Sequence, residues 1–378
     1  MPLNRIKVGV VFGGKSGEHE VSLQSAKSVI EALDPHQYTI VPIGISKSGR
    51  WHVGKNAVKS LEEEQKATKK VTSGPSASFI NEQVGGLTSV SAQSAPEPLP
   101  PTLAGDVDVI IPVMHGTYGE DGSIQGLLEL MDVAYVGAGI LASAVGLDKI
   151  VMKQVFGSVG LPQVRYVGCT RKTWKTRPHE IIDEIERTFG YPCFVKPANL
   201  GSSVGITKAK SRTELERAME LAAQYDRKII VEEGLDVREV EVAVLGNDTP
   251  QVSVAGEIVP SNEFYDYKAK YVGGTSKLII PAELTDEQRN AIATYATQAF
   301  QAIDCSGLAR VDFFIEKSSG KVIINEINTM PGFTRYSMYP KLWEASGMSY
   351  SKLLDTLIQL ALERNNEKRE LTRSFDAE

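Results

Sequence analysis

The apolar residues of this chain change period several times, and each change predicts an element. Ile6 to Phe12 is a short, continuous, β-branched run, the pattern of a strand buried on both faces. Gly13 and Gly14 turn the chain, after which Val21, Ser25, Val29 and Leu33 recur at helical spacing. Tyr38 to Ile45, following Asp34 and Pro35, reads as a second strand. Together these predict a β-α-β unit, so the N-terminal part is expected to be a doubly wound parallel sheet whose loops face a ligand at the strand C-termini. Strand Val107 to Ile111 leads through a glycine-rich loop to a helix over Ser123 to Met131. The small-residue run Val136 to Gly146 predicts a strand end and then a helix carrying Asp148 and Lys149.

Beyond Leu161 the periods alternate. Helices are expected over Pro178 to Phe189 and Thr213 to Tyr225, with strands at Cys193 to Lys196 and Lys228 to Glu232. A new alternating strand begins at Arg238, and a further one spans Gln251 to Ile258. A long helix over Thr285 to Ile303 precedes a hairpin, Leu308 to Glu316 and Lys321 to Ile327 around Lys317-Ser318-Ser319-Gly320. Helices cover Ser337 to Leu362, and Arg364 to Glu378 reads as a charged tail expected to fray. Lys55 to Pro101 is rich in Ser, Thr, Lys, Gly and Pro and is expected to form exposed hairpins or loop. The expected division is an α/β domain over residues 1–147, then two α+β domains over 148–236 and 237–378.

Composition narrows the partners. With 41 basic and 47 acidic residues the net charge is −6, which offers no general attraction for nucleic acid or an anionic membrane. Cys169, Cys193 and Cys305 stand far apart, in no metal-ligand spacing, as expected of reduced thiols in a cytoplasmic protein. The apolar run at Val8 to Phe12 is too short for a signal peptide, and no run approaches the roughly 18 residues that span a bilayer.

The candidate chemistry concentrates in the hairpin. A turn centred near Ser318 and Ser319 sets Asp312 opposite Glu326 to within one residue of register. Strict alternation places Arg310 beside Asp312, and Ile324, Glu326 and Asn328 on one face of the partner strand. Two carboxylates and an amide oxygen on rigid strands suit Mg²⁺ completed by phosphate oxygens, although a solvated polar face would show the same residues. Arg310 could stabilise a developing oxyanion, and Gly332 permits a close backbone N–H. Strand Cys193 to Lys196 opens into Pro197-Ala198-Asn199-Leu200-Gly201-Ser202-Ser203-Val204-Gly205, a cation beside N–H donors and hydroxyls that suits phosphates without matching a Walker motif. Likewise, Gly13 to Glu18 lacks the glycine spacing of a dinucleotide loop, and no acidic residue ends the second strand. Glu18, near a helix N-terminus, suits either a first-turn role or a substrate ammonium. His115 and Glu120 are candidates for substrate contact, and Glu232, Glu233 and the acidic residues after Arg238 for an adenine amine or ribose. Ser261 to Gly274 reads as a covering loop with Lys270 and Tyr271 reaching inward.

In order, GGKSGEHEVSLQSA, HGTYGEDG, FVKPANLGSSVG, IVEEG, EFYDYKAKY, GLARVDFF and NEINTMPGFTRYSMYP resemble the ATP-grasp superfamily, and within it the D-alanine–D-alanine ligases. The resemblance implies an ATP-grasp fold enclosing the nucleotide, and a reaction in which ATP converts one D-alanine to an acyl phosphate that a second attacks. It further implies two Mg²⁺ ions, with Mn²⁺ able to substitute, on Asp312, Glu326 and Asn328. ATP would meet Lys149, Lys196, Lys270, Ser202 and Ser203 at its phosphates, Glu232 and the backbone at Leu235 at the adenine, and Glu239 at the ribose, with Phe264 among the cofactor-binding residues. Glu18 would pair with the first ammonium, with His115 in the same subsite, and Ser337 with the second carboxylate. Arg310 and Gly332 would form the oxyanion hole, and Glu18, Ser202 and Tyr271 a trio joining mobile loops. A homodimer acting in peptidoglycan precursor synthesis is implied as well. The competing readings are a D-alanine–D-lactate ligase, against which Tyr271 argues because ester formers carry a His there, and a nucleotide-binding regulator without turnover.

Overall fold

The computed structural model describes residues 5–63, 107–201, 204–259 and 277–372. Three sheets succeed one another along the chain. In the first, β1 (Ile6–Gly13), β2 (Tyr38–Ile45), β3 (Trp51–Val53), β4 (Val109–Pro112) and β5 (Ala134–Tyr135) lie in the order β3-β2-β1-β4-β5. β1 pairs parallel with β2 and β4, and the sheet reverses its order there, so loops following β1 and β4 open into one crevice. β3 is an antiparallel edge strand. Helix α1 (His19–Ala32) packs on one face through Leu23, Ala26 and Val29, and α2 (Ser123–Leu130) covers the other through Ile124 and Leu128.

Next come α3 (Ile140–Leu147) and α4 (Lys149–Ser158). Where one helix carrying Asp148 was expected, there are two, because Asp148 is extended and caps α4, its carboxylate accepting from the N–H groups of Ile150 and Val151. The second sheet joins β6 (Tyr166–Thr170), β7 (Cys193–Pro197), β8 (Thr207–Ala209) and β9 (Lys228–Glu233) in the order β6-β9-β7-β8. Helices α5 (Arg171–Thr176), α6 (Pro178–Thr188) and α7 (Arg212–Tyr225) accompany it. Ile181, Ile182, Leu215 and Met219 bury its one covered face. β6, β8 and α5 are too short to announce themselves by period.

The third sheet contains β10 (Val237–Gly246), β11 (Gln251–Val252), β12 (Gly256–Val259), β13 (Lys277–Ile279), β14 (Gly307–Glu316) and β15 (Val322–Asn328). The single strand expected over Gln251 to Ile258 is broken into β11 and β12, with Ser253 Oγ accepting from Ala243 N–H at the interruption. Helix α8 (Asp286–Ala302) starts with a capping box at Thr285 and Gln288. It packs Ile292, Ala296 and Phe300 against Val240, Val242, Val311 and Phe313.

Two expectations about the C-terminal part need correction. Asp312 does pair with Glu326, but Phe313 pairs with Ile324, which leaves a bulge at Asn325. The extra residue inverts the alternation: Ile324 joins the α8 core with Val322 and Ile327, on the face opposite Glu326 and Asn328. Nor is Arg364 in a frayed tail. After α9 (Met338–Ala345), α10 (Tyr350–Glu370) continues past it, packing Leu353, Leu354, Leu357 and Ile358 into one core with β1, α1 and β4. A further correction falls in the polar segment, where residues 57–63 are helical and bury Ala57 and Leu61. Among the described residues, no helix is long and apolar enough to cross a membrane.

Candidate functional site

The crevice begins where β1 and β4 end, and buried hydroxyls bind their loops together. Ser22 Oγ accepts from Gly13 N–H and donates to Val113 O, at 2.7 and 2.6 Å. Ser16 Oγ donates to His115 O at 2.6 Å and accepts from Glu18 N–H. Glu18 occupies the N-cap position of α1, yet its carboxylate makes no capping bond. It points across the crevice instead: a Cβ built on Gly116 or Gly201 would lie 3.4 or 3.5 Å from Glu18 Oε1. The Gly201 position is also 3.6 Å from Glu120 Oε2, so the loop after β7 passes within contact distance of two carboxylates of the first domain. His115 is buried, its Nε2 3.0 Å from Ser25 Oγ and its Nδ1 3.8 Å from Glu120 Oε1. Ser25 counted in the sequence only as part of the apolar stripe of α1.

Lysines line the opposite wall. Lys149 starts α4 and donates to Leu200 O at 3.0 Å, with Glu326 Oε2 3.7 Å away. Lys196, at the end of β7, stands 2.5 Å from Glu232 Oε2, while Lys153 Nζ lies 3.0 Å from Glu232 Oε1 without hydrogen-bond alignment. Burial would raise the Glu232 pKa, but Lys153 and Lys196 hold it down at about 2. Burial likewise opposes the charge on Lys196, yet Glu232, Glu326 and Glu239 lift its pKa above the ordinary lysine value. Lys153, only 1% exposed, was missed in the sequence. Its signal was its position one turn beyond Lys149, which sets both on the same helix face.

On the hairpin, Arg310 Nε and Nη2 donate to the two carboxylate oxygens of Asp312 at 2.7 and 2.8 Å. Nε also lies 3.1 Å from Glu241 Oε2, on the neighbouring strand β10. Burial works against this guanidinium, but Asp312 and Glu241 raise its pKa well above the usual value. Glu241 was also missed as a named candidate. It lies two residues past Glu239 on a strand, hence on the same face. Asn328 sits across from Arg310, and its Oδ1 accepts from Met330 N–H at 3.0 Å.

The donor set of Asp312, Glu326 and Asn328 fits a hard divalent cation, since it supplies carboxylate and amide oxygens from paired strands. Among the described residues no three or more His, Cys, Asp or Glu side chains form a metal-binding group by themselves, and the set proposed here has two carboxylates and one amide. A set so small suits an ion that retains waters and takes phosphate oxygens. Farther along, a Cβ on Gly332 would come 3.1 Å from Ser337 Oγ. That hydroxyl, at the first position before α9, contacts Thr334 Oγ1 at 2.8 Å and makes no capping bond.

Contacts thus link these residues across the three sheets: Glu18 and Glu120 approach the loop after β7 at Gly201, Lys149 joins that loop at Leu200 to Glu326, Lys196 meets Glu232, and Asn328 lies opposite Arg310 and beside the strand of Asp312, with Glu239 on the strand shared by Glu241. His115 is tied to Glu120 at 3.8 Å. Leu235 lies in the link between β9 and β10. Ser202, Ser203, Phe264, Lys270 and Tyr271 lie outside the described residues.

Comparison with known proteins covers both halves. Residues 7–138 match the model of the D-ala D-ala ligase N-terminus, and residues 155–359 that of the D-ala D-ala ligase C-terminus. The chain is 50% identical over 374 residues to a D-alanine--D-alanine ligase of Geobacillus thermodenitrificans, covering 98% of this chain and 100% of that one. A D-alanine--D-alanine ligase of Bacillus cytotoxicus is 50% identical over 370 residues, covering 98% and 99%. Among solved structures, the D-alanine-D-alanine ligase from Coxiella burnetii superposes with TM-score 0.78 at 34% identity, over 97% of this chain and 96% of that one. The VanG D-Ala:D-Ser ligase from Enterococcus faecalis superposes with TM-score 0.76 at 35% identity, over 95% and 100%.

Proposed function

The chain belongs to the D-alanine–D-alanine ligase family, with its ATP-grasp fold, and from that premise we propose how its residues divide the ATP-dependent joining of two D-alanine molecules. The observation that supports the assignment most directly is the approach of Lys149 to Glu326, 3.7 Å, which brings a phosphate-binding cation against the metal-binding hairpin. A free carboxylate does not react with an amine at neutral pH. Its oxygen first takes the γ-phosphoryl group, with ADP leaving, and the second amine then forms the amide bond as phosphate departs and a proton is lost.

Lys149 and Lys196 hold the triphosphate, Glu232 and the backbone at Leu235 receive the base, and Glu239 receives the ribose. Glu18 holds the ammonium of the first amino acid, with His115 behind it, and Ser337 binds the second carboxylate. Arg310 and the N–H of Gly332 face the oxygen that gains charge when the amine attacks. Because Asp312 and Glu241 already orient Arg310, little reorganisation is needed at that moment. Asp312, Glu326 and Asn328 would hold Mg²⁺, as two ions, whose chemistry is to neutralise the triphosphate and the transferring group. Ser202, Ser203, Phe264 and Lys270 are assigned to ATP by the family resemblance, and Tyr271 favours an amine over a hydroxyl nucleophile. The product serves peptidoglycan precursor synthesis.

A homodimer is the assembly proposed, on the cytoplasmic side of the membrane. Its surface would include Tyr118, Leu130, Ile140 and Leu141, which are exposed around α2 and the start of α3.

The test is phosphate release from ATP and Mg²⁺ with D-alanine, L-alanine, or D-alanine mixed with D-lactate or D-serine, across pH 6 to 9, with products weighed by mass spectrometry. D-alanyl-D-alanine should dominate throughout. Ester formation at the lower end, or a D-serine product in excess, would reassign the second substrate; release independent of any amino acid would point to the regulator.

A further inference from the structure

Arg364, in the C-terminal third of α10, is a buried cation outside the set of residues assigned to the ligands. Its guanidinium donates to Tyr135 O at 2.9 Å, and also to Gly137 O and Ser306 Oγ. Its Cζ lies 4.5 Å from the centroid of the Tyr135 ring. Among the described residues it has no ion pair with a carboxylate, and burial lowers its pKa. A cation so placed is costly to desolvate, and this one is held directly by carbonyls, a hydroxyl and a ring face, with Asp304 supporting its charge from beyond ion-pair distance.

Those acceptors belong to two different sheets. Tyr135 and Gly137 end the first sheet, whose loops carry Glu18 and His115. Ser306 immediately precedes β14, which carries Arg310 and Asp312. The two sheets touch backbone to backbone at this point: a Cβ on Gly307 would stand 3.0 Å from both Gly137 N and Gly137 Cα. The same helix is fastened to the first domain on either side of Arg364, through β2, α2 and the turn after α2. Tyr38 Oη donates to Asp355 at 2.9 Å, Lys368 pairs with Glu129, and Arg369 donates to Asp132 O at 2.9 Å.

We propose that Arg364 is a positioning residue of the ligase reaction, a cross-brace that fixes the separation between the ammonium site on the first sheet and the Arg310 strand on the third. The proposal rests on the assignment of the amino-acid site above. It predicts an effect on the amino acid rather than on ATP, because the groups assigned to ATP and its metal lie on α4 and on the second and third sheets, none of them on the first sheet that the brace ties down. A loss of general stability would instead lower the active fraction and leave both KM values alone.

The experiment measures KM for D-alanine and for ATP, with kcat, in Arg364→Met and Arg364→Lys. Arg364→Met should raise the D-alanine KM at least about fivefold with the ATP KM within about twofold, and increase phosphate released per dipeptide formed. Arg364→Lys, which keeps the cation but loses the fork, should fall between it and the wild type. Unchanged D-alanine KM in either soluble variant, or equal rises for both substrates, overturns the proposal. If Arg364→Met does not fold, Arg364→Lys decides by the same criterion. A wild-type enzyme without D-alanine-dependent turnover would instead refute the amino-acid site itself, which separates the two failures.

Discussion

Arg310 grips both oxygens of Asp312, two residues along the same strand, so the group proposed to meet the oxyanion is oriented by a group proposed to hold the metal. Asp312→Asn should therefore damage both roles. We expect kcat to fall by about a hundredfold or more, and the Mg²⁺ concentration for half-maximal rate to rise. Glu326→Gln, which leaves Arg310 with its fork to Asp312, should cut turnover by more than about tenfold with the same shift in Mg²⁺ demand and an unaltered fold. Titration of rate against Mg²⁺, with circular dichroism as a folding control, checks both; wild-type Mg²⁺ demand in either variant would remove the hairpin from the metal site.

Glu232 predicts an acid-dependent stability. Its pKa, about 2 when folded against the ordinary glutamate value of 4.5, means that its contribution is fully present above about 4.5 and is lost as pH falls toward 2. Glu232→Gln should destabilise the protein on the order of 3 kcal/mol at pH 7, the two buried lysines losing their shared counter-charge. The gap in denaturation midpoint from the wild type should stay constant from pH 7 to 5 and narrow below that. A gap that widens on acidification would contradict the ionised state of Glu232.

Gly201 predicts a crowding effect at the amino-acid site. In Gly201→Ala the new methyl would sit at ordinary contact distance from the Glu18 and Glu120 carboxylates, in a backbone conformation open to alanine. The fold should persist while the D-alanine KM rises about tenfold or more, since an ammonium approaching Glu18 meets the methyl. Saturation curves that match the wild type would mean that the ammonium binds elsewhere.

Ser25 predicts a loop effect. Ser25→Ala strips His115 Nε2 of its partner at a buried position, which should cost about 1–3 kcal/mol in unfolding free energy. Because His115 O also receives Ser16, the loosened loop should raise the D-alanine KM without altering that for ATP. Chemical denaturation and steady-state kinetics measure the two effects separately; unchanged stability would show that Ser25 does not support the histidine.

By itself, the sequence determined most of the longer elements and which residues are candidates for the chemistry, because both are written locally. Uninterrupted apolar runs mark β1 and β4, and the Lys317–Gly320 turn sets Asp312 against Glu326 within the one-residue tolerance expected. Only the tertiary structure decided what depends on distant atoms meeting. The bulge at Asn325 turned Ile324 into the α8 core, because packing against Ile292 and Phe300 outweighs strict alternation. Lys153 found Glu232, and Glu241 found Arg310, from separate elements, since a charge buried by one part of the chain must be matched by another. Arg364, read as the start of a charged tail expected to fray, is instead buried in the last helix, because the environment of a helix is set by the sheets it lies on, and no local pattern of residues records that.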